Sequence, residues 1–123
     1  MRIISGKLKG SILNITKNKS TRPLKDSARE NMFNLITHSN KLVFRFEKSK
    51  VLDLFSGTGS FGLECLSRGA ETVYFVEKEK EAIATLEKNI MKLNLKNKVK
   101  IFSDDVFNLI NKTSTLSKSI KYI

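Results

Sequence analysis

The sequence has little of what marks secreted, membrane-spanning or metal-binding proteins. Its single cysteine, Cys65, cannot form an internal disulfide, so nothing favours an oxidising compartment. No apolar run reaches the ~18 residues of a membrane span, and residues 1–4 lead into Ser-Gly-Lys rather than into a signal-peptide core. The single histidine, His38, has no cluster of cysteines or carboxylates around it. We therefore expect a cytoplasmic protein with no metal site and no membrane association.

Acidic residues are scarce relative to basic ones. The 123 residues include 23 Lys and Arg but only 12 Asp and Glu, which gives a formal net charge of +11. Residues 1–50 contain 12 basic and 3 acidic side chains, whereas residues 51–123 contain 11 and 9. Such an excess favours a polyanionic partner, with nucleic acid the first candidate, although a lysine-rich genome would also contribute to it.

One glycine-dense turn organises the rest of the chain. The apolar run Val51-Leu52-Asp53-Leu54-Phe55 breaks into Ser56-Gly57-Thr58-Gly59, and helical spacing resumes from Ser60. This pattern predicts a strand, a tight turn and the N-terminus of a helix. Gly57 and Gly59 permit a positive φ and the close approach of a ligand, while Gly62 lets the helix pack closely on the strand. We interpret the stretch as a ligand-binding turn.

The remaining pattern predicts an α/β fold. A hairpin is expected over Arg2–Ile15, and a helix from Asp26 or Ser27 to about His38. Further strands are expected at about residues 51–55, 72–77 and 98–102, and helices at about 60–68, 78–95 and from 106 onward. This alternation predicts three parallel strands joined by right-handed crossovers, as in part of a Rossmann-like sheet.

Three smaller interpretations concern packing. In the first helix, Arg29 is expected to face solvent or a ligand, and Phe33 to border an apolar face turned to the core. That face comprises Ala28, Met32, Leu35 and Ile36. Pro23 is expected to hold the segment before this helix extended and stiff. Cys65 is expected to fill the core rather than act as a nucleophile, because no histidine is positioned to activate it.

Carboxylates occur at the ends of all three predicted strands. Asp53 lies late in the first strand, Glu77 ends the second, and Asp104 and Asp105 follow the third. In parallel sheets, ligands bind beyond the carboxyl ends of the strands. We therefore expect these acids to converge on one crevice.

The residues alone leave the ligand open. The spacing Gly57-x-Gly59-x-x-Gly62, with Glu77 twenty positions after Gly57, satisfies the dinucleotide fingerprint, so NAD(P) is one candidate. Asp53 favours S-adenosylmethionine, because a carboxylate attracts the amino group of that cofactor and would repel a pyrophosphate. A non-catalytic RNA-binding module is a third alternative.

Several motifs resemble one family. The stretch Asp53-Leu54-Phe55-Ser56-Gly57-Thr58-Gly59-Ser60 resembles motif I of class I S-adenosylmethionine-dependent methyltransferases. The whole chain is similar to the bacterial 16S rRNA guanine-N2 methyltransferases of the RsmD type. The stretches that support this resemblance are residues 1–10 (MRIISGKLKG), 21–23 (TRP) leading to Asp26, 29–34 (RENMFN), 66–70 (LSRGA) and 75–78 (FVEK).

The resemblance implies a function for each part of the chain. Residues 1–50 would form a basic RNA-facing part, and residues 51–123 the N-terminal half of an S-adenosylmethionine-binding Rossmann-like domain. Asp53 and the glycine turn would hold the methionine end of the cofactor, Glu77 the ribose hydroxyls, and Asp105 the adenine amino group. The implied cofactor-binding residues are Asp53, Phe55, Ser56, Gly57, Thr58, Gly59, Glu77, Lys78, Asp105 and Val106. The implied RNA-binding residues are Arg2, Lys7, Lys9, Arg22 and Arg29. The partner would be 16S rRNA or an assembling small ribosomal subunit, and the complete protein would be a monomer.

The chain departs from the family in one respect. The Asn/Asp-Pro-Pro-Tyr motif, which in this family accepts hydrogen bonds from the target amine and grips the flipped base, is absent, and the only proline is Pro23. We therefore assign no catalytic residue and expect a truncated product. Its first strand would have an unpaired apolar edge, and the chain alone would bind cofactor weakly, be inactive and tend to aggregate.

Overall fold

The computed structural model describes residues 1–16, 26–39 and 45–112. Within these ranges it contains four helices and three strands, in addition to a short 3-10 turn at Lys96–Lys98. The predictions for Arg22 and for the stiff segment at Pro23 lie outside the described residues. The elements are α1 (Asp26–His38), β1 (Lys50–Asp53), α2 (Ser60–Ser67), β2 (Thr72–Glu77), α3 (Lys80–Lys92), β3 (Val99–Ser103) and α4 (Val106–Lys112).

The three strands form one parallel sheet in the order β1-β2-β3. Val51 lies beside Val73 in the register of the first pair, and Val73 lies beside Val99 in the second. The predicted α/β alternation is confirmed, and the boundaries of the elements differ from the prediction by only a few residues. Among the described strands β1 is an edge strand, as the resemblance implies, although Val51 is itself buried.

Helix α2 lies close against the sheet because Gly62 has no side chain. A Cβ atom at this position would lie 2.3 Å from the ring of Phe75 on β2. After α2 the chain turns at Gly69, which has a φ of 114°, a left-handed conformation that glycine commonly adopts just after a helix. Cys65 is fully buried on this helix, and burial raises the pKa of its thiol well above 9.0, consistent with a packing role.

The N-terminal segment pairs with itself in the antiparallel sense but forms no regular strands. Arg2 and Ile12 make a single bridge, supported by hydrogen bonds from the Ile3 amide to the Ser11 carbonyl (2.9 Å) and from the Leu13 amide to the Met1 carbonyl (2.8 Å). The predicted hairpin is therefore present, but with a single bridge in place of two regular strands. Ile3 and Leu13 belong to the same buried cluster as the sheet and α2, so this segment packs on the remainder of the fold.

The predicted orientation of α1 is wrong. Arg29 and Phe33 are fully buried, whereas Met32 and Leu35 are 38% and 68% exposed. Phe33 decides the orientation: its ring lies 5.0 Å from that of Phe61 and 5.3 Å from that of Phe46. Arg68 lies over the same ring at 4.3 Å. Aromatic packing therefore turns Phe33 inward, and Arg29, one helical turn earlier, follows it.

Candidate functional site

The glycine turn connects β1 to α2 in a conformation that glycine favours. Gly57 and Gly59 have φ values of 53° and 94°. A Cβ atom on Gly59 would also lie 2.3 Å from a methyl group of Leu86 on α3, so the position has no room for a side chain. Ser56 is buried and fixes the start of the turn, since its amide donates to the Val76 carbonyl on β2 at 3.1 Å. The turn is thus bonded to β2 at Ser56 and packed against α3 at Gly59.

Asp53 has one buried oxygen that lacks a partner in the part of the chain that the structure describes. Its Oδ2 atom is inaccessible to solvent and has no hydrogen-bond partner among the described residues. Burial raises the pKa of this carboxyl group from 3.8 to about 6, and the nearby charge of Glu77 adds to the rise. Hydrogen bonds from the backbone amides of Gly62 and Phe55 act in the opposite direction. A buried acceptor of this kind is suited to a cationic or hydrogen-bond-donating ligand.

Glu77 ends β2 and accepts three backbone hydrogen bonds. Its Oε1 atom accepts from the Gly57 amide at 2.9 Å, and its Oε2 atom accepts from the amides of Lys78 and Glu79, each at 2.9 Å. The carboxylate is therefore locked in position between the glycine turn and the start of α3. A fixed carboxylate with remaining lone pairs can accept further hydrogen bonds from a ligand's hydroxyl groups.

A small pocket of about 140 Å³ opens beyond the ends of the strands. The acidic residues Glu77 and Asp105 both line it, so the structure brings these two predicted residues together. Asp53, Ser56 and the two glycines of the turn are not among the lining residues. The complete lining consists of Leu54, Phe55, Val76, Glu77, Lys78, Asp104, Asp105, Val106 and Phe107.

Asp105 also has a local structural role. Its Oδ1 atom accepts a hydrogen bond from the Phe107 amide at 2.8 Å, the geometry of a helix N-cap at the start of α4. This contact fixes the orientation of the carboxylate at the pocket. Since Oδ1 is engaged by the helix, Oδ2 is the oxygen better placed to accept from a ligand.

The predicted RNA-binding residues do not share one environment. Arg2, Lys7 and Lys9 are exposed on the N-terminal segment. Arg29 is fully buried, and its guanidinium donates a hydrogen bond to the Arg2 carbonyl. The expectation that Arg29 faces solvent is therefore wrong, because its guanidinium supports the fold of the N-terminal segment. Arg22 lies outside the described residues.

Two residues at the site were not identified from the sequence. Phe107 lines the pocket with an aromatic ring that is 73% exposed, and only its position after Val106 could have indicated it. Asn89 is fully buried and donates a hydrogen bond to the Thr58 carbonyl in the glycine turn at 2.9 Å. The available signal for Asn89 was a polar residue next to the apolar stripe of α3.

The described residues give no indication of a metal or of a membrane span. No group of three or more His, Cys, Asp or Glu side chains among them could hold a metal ion. In the same part of the chain, no helix is long and apolar enough to cross a membrane.

A family model described as conserved hypothetical protein 95 matches residues 1–123. The chain belongs to this family. The Bacillus subtilis protein named putative rRNA methyltransferase YlbH is similar to this chain, with 38% identity over 105 residues, which cover 85% of this chain and 54% of YlbH. The ribosomal RNA small subunit methyltransferase D of Buchnera aphidicola subsp. Baizongia pistaciae is 39% identical over 97 residues, or 79% of this chain and 47% of that protein.

Solved structures agree with this family assignment. The Escherichia coli protein yhhF superposes with a TM-score of 0.75 at 25% identity, over 89% of this chain and 55% of that one. A putative RNA methyltransferase from Pyrococcus horikoshii, PH1948, superposes with a TM-score of 0.60 at 30% identity, over 76% of this chain and 46% of that one. The predicted α/β fold class is therefore confirmed. The chain spans about half the length of the curated relatives that it matches.

Proposed function

We propose that this chain forms the cofactor-binding and RNA-contacting part of an S-adenosylmethionine-dependent rRNA methyltransferase. The main support is the pocket lined by Glu77 and Asp105, together with the glycine turn that is bonded to Glu77. Asp53 adds a buried carboxylate oxygen that has no partner among the described residues. Relatives in the family are named ribosomal RNA small subunit methyltransferase D, which supports the same reaction class. Residues 51–123 would supply the cofactor side and residues 1–50 the RNA side.

The residues present suit the proposed cofactor, which supplies an activated methyl group when it is bound. Asp53 offers a buried anionic acceptor for the amino group of the methionine end, and the turn at Ser56, Gly57, Thr58 and Gly59 offers backbone without side chains in the way. Glu77 offers a fixed carboxylate for the ribose hydroxyls, with Lys78 beside it. The pocket walls offer apolar and aromatic surface for a purine, from Phe55, Val106 and Phe107, and Asp105 an acceptor for its amino group.

The RNA side rests on charge and exposure. Arg2, Lys7 and Lys9 are exposed on one short segment of a chain whose net charge is +11. Such residues bind phosphates without reading sequence, so they would position an RNA and not select a base. We propose 16S rRNA, free or in an assembling small subunit in the cytoplasm, as the polyanion.

We further propose guanine N2 as the methylated atom, on the resemblance to the RsmD type alone. The Asn/Asp-Pro-Pro-Tyr motif of that type is absent from these 123 residues. The test is therefore to mix the chain with a second polypeptide that contains this motif, and to supply S-adenosylmethionine and small ribosomal subunits. The nucleosides of the rRNA are then analysed. N2-methylguanosine is the expected product, and another methylated nucleoside would contradict the assignment.

The cofactor assignment can be tested by calorimetric titration with S-adenosylhomocysteine and, separately, with NADH. We expect binding of S-adenosylhomocysteine only. Its affinity should fall at least about tenfold in Asp53→Asn and in Glu77→Gln, since each variant removes a charged acceptor. Glu87→Gln is the matched control, because Glu87 is an exposed acid that lines a different cavity on α3. Tighter binding of NADH would instead identify a dinucleotide site.

The same titration has a pH signature. The amino group of the ligand should prefer the ionised form of Asp53, whose pKa is raised to about 6. Affinity should therefore increase between about pH 5 and about pH 8 in the wild-type chain and stay nearly flat in Asp53→Asn. Equal pH dependence in both proteins would show that Asp53 does not face the amino group.

A further inference from the structure

Asn89 connects two segments that the proposed function assigns to different ligands. Its side chain projects from α3 and is fully buried. The Oδ1 atom accepts from the Asn14 amide at 2.7 Å, and the Nδ2 atom donates both to the Asn14 carbonyl at 3.0 Å and to the Thr58 carbonyl at 2.9 Å. One amide group therefore bonds to the N-terminal segment and to the glycine turn together.

Other polar contacts hold the N-terminal segment without reaching the glycine turn. On α2, the buried carboxylate of Glu64 accepts from the amides of Ile4 and Ser5 at 2.8 and 3.0 Å. On α3, one turn beyond Asn89, the Lys92 ammonium group donates to the Ile12 carbonyl at 2.8 Å. These contacts explain why the segment stays on the fold. They do not explain a buried asparagine whose second hydrogen bond from Nδ2 goes to Thr58.

The chemistry of Asn89 makes its three bonds interdependent. A buried amide that loses a partner leaves an unsatisfied group, which costs about 1–3 kcal/mol. A shift of the backbone at Asn14 would therefore also change the position of the amide that holds Thr58. Since Thr58 lies between Gly57 and Gly59, such a shift alters the part of the turn that the cofactor would contact.

We propose that Asn89 is a positioning residue that couples RNA binding at the N-terminal segment to cofactor binding at the glycine turn. This inference rests on the proposed function, since it requires both ligands. RNA that binds the segment containing Lys7, Lys9 and Asn14 would fix the position of the Asn14 backbone, and with it the Asn89 amide and the Thr58 backbone. By reciprocity, bound cofactor would increase the affinity for RNA by the same factor.

The coupling is tested by measuring the affinity for S-adenosylhomocysteine with and without a saturating RNA oligonucleotide of mixed sequence. In the wild-type chain we expect RNA to increase the affinity by roughly fivefold or more, the lower range of measured couplings. In Asn89→Asp, which keeps the acceptor oxygen and loses both donated bonds, the factor should fall to about one. In Lys92→Met, the matched control on the same helix, the factor should persist, because only the bond to Ile12 is lost.

Amide hydrogen exchange gives a second readout that requires neither cofactor nor a folded variant. RNA added to the wild-type chain should slow exchange at residues 57–59 as well as in residues 1–16. Protection confined to residues 1–16 would overturn the inference, as would an unchanged coupling factor in Asn89→Asp. If RNA and S-adenosylhomocysteine each bind the wild-type chain but show no coupling, the inference fails while the proposed function stands. If either ligand fails to bind the wild-type chain, the proposed function is wrong, and the inference that rests on it is wrong too.

Discussion

Asp53 is a residue at which stability and binding are in conflict. Its carboxyl group is held where burial raises the pKa from 3.8 to about 6, so the charged form is disfavoured in the folded, ligand-free chain. A buried group retained at such a cost usually serves a ligand, because a neutral side chain would stabilise the fold better. The conflict gives a measurable dependence of stability on pH.

We predict that Asp53→Asn stabilises the ligand-free chain at neutral pH. Because the pKa in the folded state exceeds that in the unfolded state, the folded wild type binds more protons between about pH 4 and pH 6, and its stability falls as the pH rises through that window. Above about pH 6 the loss of unfolding free energy is constant, at up to about 3 kcal/mol. Urea unfolding at about pH 4 and about pH 8 measures the difference.

The gain in unfolding free energy from Asp53→Asn should be near zero at about pH 4 and largest at about pH 8. Glu71→Gln is the control, since Glu71 is exposed and its loss should leave the profile unchanged. If Asp53→Asn and the wild type were equally stable at about pH 8, the buried charge would carry no penalty, and the case for a ligand at this oxygen would weaken accordingly.

At the scale of the elements, the connection between the N-terminal segment and α2 depends on a close approach at Gly6. A Cβ atom there would lie 2.0 Å from the Ser67 carbonyl oxygen, a backbone atom that cannot move aside without the helix. The Lys7 amide donates to that same oxygen at 2.8 Å, and the Leu8 amide donates to the Ser67 hydroxyl at 2.9 Å. Lys7 and Leu8 are thus bonded to the C-terminal end of α2, and Gly6 lies directly against it.

We predict that Gly6→Ala destabilises the chain more than Gly10→Ala. Both glycines have nearly the same φ, +88° and +87°, so the backbone strain of the substitution is matched, but at Gly10 no atom of the described residues lies within 4 Å of the added Cβ. The extra steric cost at Gly6 should be about 1–3 kcal/mol. Chemical denaturation of both variants measures it, and faster hydrogen exchange at Lys7 and Leu8 should accompany it. Equal destabilisation would show that the segment is not held at Ser67.

The orientation of α1 provides a second test at this scale. Phe33 is fully buried within a cluster of aromatic rings, while Leu35 is 68% exposed. Phe33→Ala should cost about 3–5 kcal/mol of unfolding free energy, as for other buried phenylalanines. Leu35→Ala should change it by no more than about 0.5 kcal/mol. The order of the two effects, read from urea unfolding, would reverse if the helix presented its more apolar face to the core.

These elements also show how far the sequence could predict the fold. The strands, the helices and the glycine turn were predictable because the spacing of apolar residues and of glycines is a local signal. The orientation of α1 was not, because Arg29 and Phe33 are turned inward by rings from distant parts of the chain. At the site, Glu77 and Asp105 were predictable from their positions after strands, whereas Asn89 was not, because its partners Asn14 and Thr58 are far away in the sequence.

At the scale of the whole molecule, the basic N-terminal part and the sheet share one hydrophobic core. Ile3 and Leu13 pack in the same buried cluster as Val51 and Phe75, and buried polar groups on α2 and α3 bind the N-terminal backbone. The exposed basic residues Lys7 and Lys9 are therefore held on the same folded unit as the sheet, where Lys7 is bound to the C-terminal end of α2. A polyanion that binds there would bind to the same folded unit as the cofactor pocket and not to a separate module.

We predict that Lys7 and Lys9 account for a defined share of the salt dependence of RNA binding. Each phosphate contact on single-stranded RNA contributes about 0.7 to the slope of log affinity against log salt concentration, so the double variant Lys7→Gln/Lys9→Gln should reduce the slope by about 1.4. Lys96→Gln/Lys98→Gln is the matched control, because it removes the same charge from the exposed turn after α3. Fluorescence anisotropy at several salt concentrations measures both slopes. If RNA binds a defined surface on the N-terminal segment, the slope should fall in Lys7→Gln/Lys9→Gln and not in Lys96→Gln/Lys98→Gln. An equal fall of the slope in the two variants would mean that net charge alone attracts RNA.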